Sequence, residues 1–339
     1  GVYKGCNFAS VHSGTEKAPL TFVAEEGAKV VIDGSTPLKG TDFTSADSSA
    51  KAKLISTEAR SHLLQIDLNK YSITDFGGLN LPGSYGVSTV SVPTPPELIV
   101  NDKVMTVSRY PNSGYMKLDS IVDPGADLEN NSYSNLSDTE KNHGFVICPD
   151  DKRFYNWTNA TDARMYGRWK YPWADQTVPI KSVSQSGITS AHPAHHGIEE
   201  TGTFYTYNLL EEIDSPGEYY IDRATGILYL YPPQNTDLSS ADIRLTTRTS
   251  PLLWMSDAHD VVIEGVTFAN SRGVGISMED SQIGSRNILF KNCSFINLGD
   301  DCAKTSSASS NIGFDSCIFR DVNGGVNLNS GRYENLTPG

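Results

Sequence analysis

An all-β fold is predicted here: a parallel β-helix interrupted by an antiparallel β insertion. Three observations carry the prediction. Three segments near the C-terminus align as repeats, Asp260–Phe268, Asn287–Phe295 and Asn311–Phe319. Their closing phenylalanines are 27 and 24 residues apart. Each repeat alternates apolar and polar residues, meets a polar turn, and resumes in a second short strand: Val274–Met278, Asp301–Lys304 and Gly325–Leu328. Helix signals are weak throughout, the best being a short turn near Asn208–Ile213.

A period of roughly 20–30 residues with several short strands per unit is the signature of stacked coils. One coil cannot bury its own apolar face, but coils stacked about 4.8 Å apart bury a continuous column. Residues in register then form ladders. Phe268, Phe295 and Phe319 should stack inside, as should Val266, Cys293 and Cys317. Cys293 and Cys317 are close enough in such a ladder either to pack as small hydrophobes or to bridge.

The earlier elements follow in order. Pro19–Ala24 and Lys29–Gly34 read as coil strands, and Leu63–Ile66 and Val87–Val92 as further strands. The stretch 97–234 departs from the coil period. It holds a hairpin arm at Glu97–Asp102 and an aromatic segment at Tyr166–Trp173. It ends in two alternating runs flanking Asp222 to Gly226, a strong hairpin signal. The expected division is therefore 1–96 N-terminal coils, 97–234 antiparallel insertion and 235–339 central coils. Gly1–Gly5 reads as the end of a strand and Asn335–Gly339 as a turn, so the sequence reads as a fragment of a longer chain.

The 339 residues carry a formal net charge of −13 and no Lys/Arg run. Nucleic acid is therefore not expected as a partner. A neutral or cation-bridged polysaccharide suits this charge better than a free polyanion. No stretch is long and apolar enough to cross a bilayer. Five cysteines, Cys6, Cys148, Cys293, Cys302 and Cys317, form no C-x-x-C pair, which argues against a zinc ribbon or a thioredoxin motif. Sequons at Asn130, Asn135, Asn156, Asn159 and Asn335 point to a secreted glycoprotein. A sixth, at Asn292, falls inside an expected strand and should be unused or face outward.

Gly14–Leu20 leading into Val30–Gly34, Trp169–Asp175, Phe204–Arg223, Gly226–Pro233 and Leu336–Gly339 are long motifs. Together they resemble a large family of secreted right-handed parallel β-helix repeat proteins, in the pectate-lyase-like superfamily. The resemblance spans nearly the whole chain. It implies a right-handed solenoid, and it implies kinship with β-helical glycoside hydrolases of plant cell-wall glycans. Where relatives often carry a Gly-Gly-Asp-Arg-like stretch, this chain has Asn329–Glu334, keeping Arg332 but with no Asp beside it.

Glycoside hydrolysis needs two carboxyl groups, one to protonate the leaving oxygen and one to activate water or attack the sugar. Gly299-Asp300-Asp301-Cys302 is the sharpest candidate and locally resembles an element of β-helical polygalacturonases. Asp300 and Asp301 are the expected catalytic pair, although a merely polar coil turn is the competing reading. Lys304, Arg320, Arg332 and Glu334 are the expected substrate-binding residues, and Asp315 and Asp321 are further acids on neighbouring coils. His192, His195 and His196 could serve a metal or a base, or only pack the insertion. Trp169, Tyr171, Trp173, Tyr205 and Tyr207 could stack on sugars or pack the insertion. No metal site and no cofactor is expected, save Ca²⁺ if the protein were a polysaccharide lyase. The other alternative is a non-catalytic structural or glycan-binding module, with self-assembly open to it through solenoid ends.

Overall fold

The computed structural model describes residues 1–81, 93–128, 131–158, 160–279, 283–306 and 308–328. The chain divides into two units, one of Gly1–Pro37, Val92–Glu97 and Arg244–Gly339, the other of Leu38–Ser91 and Leu98–Ile243. Val87–Val92, expected as a strand, lies outside the described residues.

The first unit is a parallel β-helix. One of its sheets stacks Leu20–Val23, His259–Glu264, Arg286–Lys291 and Ser310–Asp315, all parallel. Another stacks Val30–Asp33, Val266–Ser271, Ser294–Thr305 and Ile318–Asn327. The third side runs from Cys6–Ala9 through Leu253–Ser256 and Ile276–Met278 to the distal part of Ser294–Thr305. The period-2 alternation of each strand aims every second side chain inward. The stacking order then makes ladders of like residues.

The expected ladders are present. Phe268, Phe295 and Phe319 are in register. Their rings stack at 5.2 and 5.1 Å with interplanar angles of 10° and 7°. Cys293 is buried against Ile263 and Val266. All five cysteines are free thiols. The Cys293 and Cys317 thiols donate to backbone carbonyls of Ile263 and Phe290, each at 3.4 Å. Burial pushes the Cys293 thiol up to about 11, and both thiols are free and bonded to backbone carbonyls, so this ladder packs rather than bridges.

The coil corners have a chemistry of their own. Asp260, Asn287 and Asn311 all take left-handed backbone, at φ 54°, 53° and 53°. Asn and Asp tolerate this conformation better than other non-glycine residues. Stacked in register, they bond along the solenoid. Asn287 Nδ2 donates to Asp260 Oδ1 and Asn311 Nδ2 to Asn287 Oδ1, both at 2.8 Å. A second ladder joins Asp33, Asn270 and Asn297. Asn292, read as lying within a strand, is instead an exposed corner residue at φ 52°, bonded to Glu264. Asn287→Ala should lose roughly 1–3 kcal/mol, since it strands two polar neighbours and strains a left-handed residue. Asn287→Gly, which keeps the backbone freedom, should lose less. Denaturant unfolding of the two variants separates the hydrogen-bond loss from the strain.

The second unit is antiparallel. Six strands close into a barrel: Met116–Asp123, Val146–Pro149, Gly187–Ser190, Asp175–Ser184, Arg164–Arg168 and Thr203–Tyr207, the last pairing back to the first. Phe145, Ile147, Met165, Trp169, Val178, Ile188 and Phe204 fill its interior. The expected hairpin is present, with Glu218–Asp222 paired to Ile227–Leu230. Leu64–Asp67 is a strand, but it pairs antiparallel with Ile227–Leu230 inside this unit. Two short α-helices, Ser48–Lys53 and Thr57–His62, begin at N-caps Asp47 and Ser56. A third, Asp138–Lys141, begins at a Ser137–Glu140 capping box. All three caps are readable in sequence. Near Asn208–Ile213 there is only a 3₁₀ turn, Leu210–Glu212. Among the described residues no helix is long and apolar enough to cross a membrane.

Candidate functional site

Asp300 and Asp301 lie within the strand Ser294–Thr305, where it rounds a corner of the β-helix. A bulge in the pairing with the next coil, between Leu298 and Asp301, marks that corner. The bulge breaks the strict alternation that would send adjacent side chains to opposite faces. Both carboxylates therefore gather around one ammonium. Lys304 Nζ lies 2.8 Å from Asp300 Oδ2 and 3.7 Å from Asp301 Oδ2. Asp300 also accepts the Asp301 backbone N–H at 2.8 Å. Asp301 accepts Asn327 Nδ2, from the next coil, at 3.3 Å. All three side chains are largely buried, at 15%, 19% and 24% exposure. Burial alone would lower the Lys304 pKa, but Asp300, Asp301 and Glu279 outweigh it and raise it. Lys304 is thus held as a cation.

The other expected binding residues do not join this corner. Arg320 pairs with Asp321 at 3.2 Å on the exposed strand Ile318–Asn327. Arg332 and Glu334 lie outside the described residues, as do Asn130, Asn159 and Asn335. Asn135 and Asn156 are exposed. Asp315 is exposed and bonds the Ser316 hydroxyl at 2.9 Å.

A carboxyl that the sequence did not single out belongs to the same unit. Glu97 ends a short return, residues 93–97, which belongs to the β-helix unit apart from its neighbours in sequence. Two bonds hold its backbone to Thr246: its N–H donates to Thr246 Oγ1 at 2.8 Å, and its carbonyl accepts Thr246 N–H at 3.0 Å. Upstream, the buried Arg272 donates from Nε to the Thr94 carbonyl at 2.6 Å. Thr94 in turn covers Gly299, where any Cβ would collide with the Thr94 hydroxyl. Gly299 is required by this close approach, and Asp300 follows it directly. Burial, reinforced by the neighbouring Asp321 carboxylate, pushes the Glu97 carboxyl up to about 7. Nothing in Pro95-Pro96-Glu97 signals this, because Thr246, Arg272 and Asp321, which clamp the segment and face the carboxyl, all lie far away in sequence.

Glu218, in the second unit, is also pushed up to about 7 by burial. Its carboxylate accepts the N–H groups of Asp214 and Ser215, at 2.8 and 2.9 Å. Nearby Arg153 binds Glu212 and Asp214, each at 2.6 Å. Bonded so fully and buried, this cluster braces its unit. Of the histidines, His195 and His196 touch edge to face, and burial lowers the pKa of both, which leaves them neutral at pH 7. His192 faces the Lys141 carbonyl at 3.3 Å. Among the described residues no three His, Cys, Asp or Glu side chains gather to hold a metal ion. Trp169 and Tyr207 are core residues and Tyr205 is half-buried, whereas Tyr171 and Trp173 are exposed.

Residues 229–337 match the family model described as "Right handed beta helix region". No curated protein matches the chain by sequence. A solved structure described as "Glycoside hydrolase" shares the fold at a TM-score of 0.65 and 16% identity. The likeness covers 96% of this chain and 58% of that one, so this chain spans little more than half of its solved relative. A second, "The complex structure of XylC with xylose", aligns over 93% of this chain and 47% of that one at 12% identity, and its TM-score of 0.36 carries no weight. The match to a right-handed β-helix model agrees with the parallel β-helix of the first unit, and the fold of the chain resembles that of a solved structure described as a glycoside hydrolase.

Proposed function

We propose that this protein is an extracellular glycoside hydrolase acting on a polysaccharide through carboxyl groups at the β-helix corner. The observation that carries the reading is Glu97. A carboxyl pushed up to about 7 keeps its proton near neutrality, as a general acid must. Asp301 is assigned as its partner, the base or nucleophile. Asp300 and Lys304 position Asp301. Exposed Asn135 and Asn156 are assigned as glycan attachment sites on a secreted chain.

The test is reducing-end release from soluble neutral polysaccharides. The native chain should hydrolyse at least one, and Asp301→Asn should abolish turnover. Asp315→Asn, on an exposed strand end, should leave the rate unchanged. Absence of hydrolysis across the panel would overturn the reading.

A second reading is a non-catalytic glycan-binding or structural module. Its support is that Asp300 and Asp301 are both committed to Lys304 and to corner groups, as in a purely architectural turn. Glycan retention without turnover would favour it. A calcium-assisted lyase is less well supported, since its base must be neutral and Lys304 is held charged. Unsaturated products absorbing in the ultraviolet would restore it.

A further inference from the structure

We infer that the turn Tyr171–Ala174, on the antiparallel unit, is a docking platform for a pyranose ring of a neutral glycan. The inference rests on the reading of the protein as carbohydrate-active and names a binding surface outside the carboxylate corner.

The turn joins the barrel strands Arg164–Arg168 and Asp175–Ser184. Its sequence is Tyr171-Pro172-Trp173-Ala174, closed by Ala174 N–H donating to the Tyr171 carbonyl at 3.1 Å. Proline at the second position presets the backbone for such a turn. The turn is also anchored. Just before it, Trp169 is 2% exposed, stacks on Phe204 at 5.4 Å and donates from Nε1 to the Gln176 carbonyl at 3.2 Å. A buried tryptophan thus holds the base of the turn, while its tip stays at the surface.

The tip carries two aromatic rings. Tyr171 and Trp173 lie 5.3 Å apart and within 5° of parallel. The His196 ring meets both edge-on, at 5.6 and 5.2 Å. This bracing fixes the rings before any ligand arrives, which lowers the ordering cost of binding. Even so, Tyr171 remains 38% exposed and Trp173 63% exposed. Exposed paired aromatics in a rigid setting mark interaction sites.

Size and charge choose the occupant. A stable protein interface needs about 800 Å² from each partner, far more than two ring faces supply. One sugar ring needs only a single aromatic face for its axial C–H groups, with hydrogen-bonding groups at the rim. Lys170 and Glu199 supply that rim, paired at 3.4 Å, with Lys170 also lying 5.5 Å from the centre of the Tyr171 ring. Because they neutralise each other, the rim offers donors and acceptors without net charge. The chain's net charge of −13 further disfavours a polyuronate.

The experiment is affinity electrophoresis of the full chain in native gels holding a soluble β-glucan, a xylan or a mannan. Migration should be retarded in at least one gel. Trp173→Ala should weaken that retention about tenfold or more, and Trp173→Phe, which keeps a ring face, should restore much of it. Retention unchanged in Trp173→Ala, or no retardation in any gel, overturns the platform. So does concentration-dependent self-association that Trp173→Ala relieves, because the rings would then pack against a second copy. The Asp301→Asn chain separates this inference from the catalytic one. If it is retained normally, the platform stands whether or not hydrolysis occurs. Hydrolysis by a native chain that shows no retention sinks the platform alone.

Discussion

Glu97→Gln should lower turnover by roughly 10²–10⁴-fold, the usual contribution of a positioned general acid, while the chain remains folded. The pH profile should be the sharper diagnostic. An acid with its pKa near 7 is competent below that value and is lost as pH rises through it. The native profile should therefore fall on its alkaline side near pH 7, and Glu97→Gln should lack that limb in whatever activity remains. Stability should carry the same signature. A carboxyl whose pKa is higher in the folded state holds a proton there that the unfolded chain has already released. Its contribution is then fully present below the unfolded value, about 4.5, and is lost as pH rises toward 7. Thermal unfolding of the native chain should weaken across that window, and the Gln variant should flatten the dependence. Glu218→Gln is the control. It should also alter stability between pH 4.5 and 7, because burial raises that carboxyl too. It should leave the alkaline limb of activity in place. If Glu97→Gln keeps full turnover and the same limb, Glu97 is not the acid.

Phe295→Ala should cost roughly 3–5 kcal/mol, among the largest stability losses expected of a single substitution in the β-helix. Phe295 is fully buried between Phe268 and Phe319, and Phe290 and Phe314 meet it edge-on at 6.2 and 5.9 Å. Truncating it opens a cavity that neighbouring coils cannot close, since their spacing is set by backbone hydrogen bonds. Phe319 occupies the same ladder but remains 41% exposed. Phe319→Ala should therefore cost much less, since part of the ring is already in water. Calorimetry of the two variants tests this directly. Comparable losses would mean that the ladder position, and not the depth of burial, governs the contribution.

How far each feature can be read without coordinates follows from the range of the forces behind it. Alternation in Asp260–Phe268, Asn287–Phe295 and Asn311–Phe319 is local, and the repeat spacing brings like residues together, so the phenylalanine and cysteine ladders were legible. The hairpin around Asp222–Gly226 was legible for the same reason, since both strands and their turn lie within a few residues. Asp300, Asp301 and Lys304 share one strand, but the sequence reading set Lys304 beside Arg320, Arg332 and Glu334, because the bulge that gathers the three side chains is not written in the local alternation. The short helices at Ser48–Lys53 and Thr57–His62 left only their caps as a signal, and six-residue helices carry too little periodicity to stand out.

Closure of the six-stranded barrel was decided by pairing between Arg164–Arg168 and Thr203–Tyr207, nearly forty residues apart, which no local pattern encodes. The split between buried Trp169 and exposed Trp173 was likewise set by that closure, four residues being enough to pass from interior to turn. Glu97 is the clearest case. Its raised pKa comes from desolvation and from Asp321, and both exist only once the return segment is clamped by Arg272 and Thr246. Hydrophobic period is written along the chain, whereas the field at a carboxyl depends on what folding brings beside it.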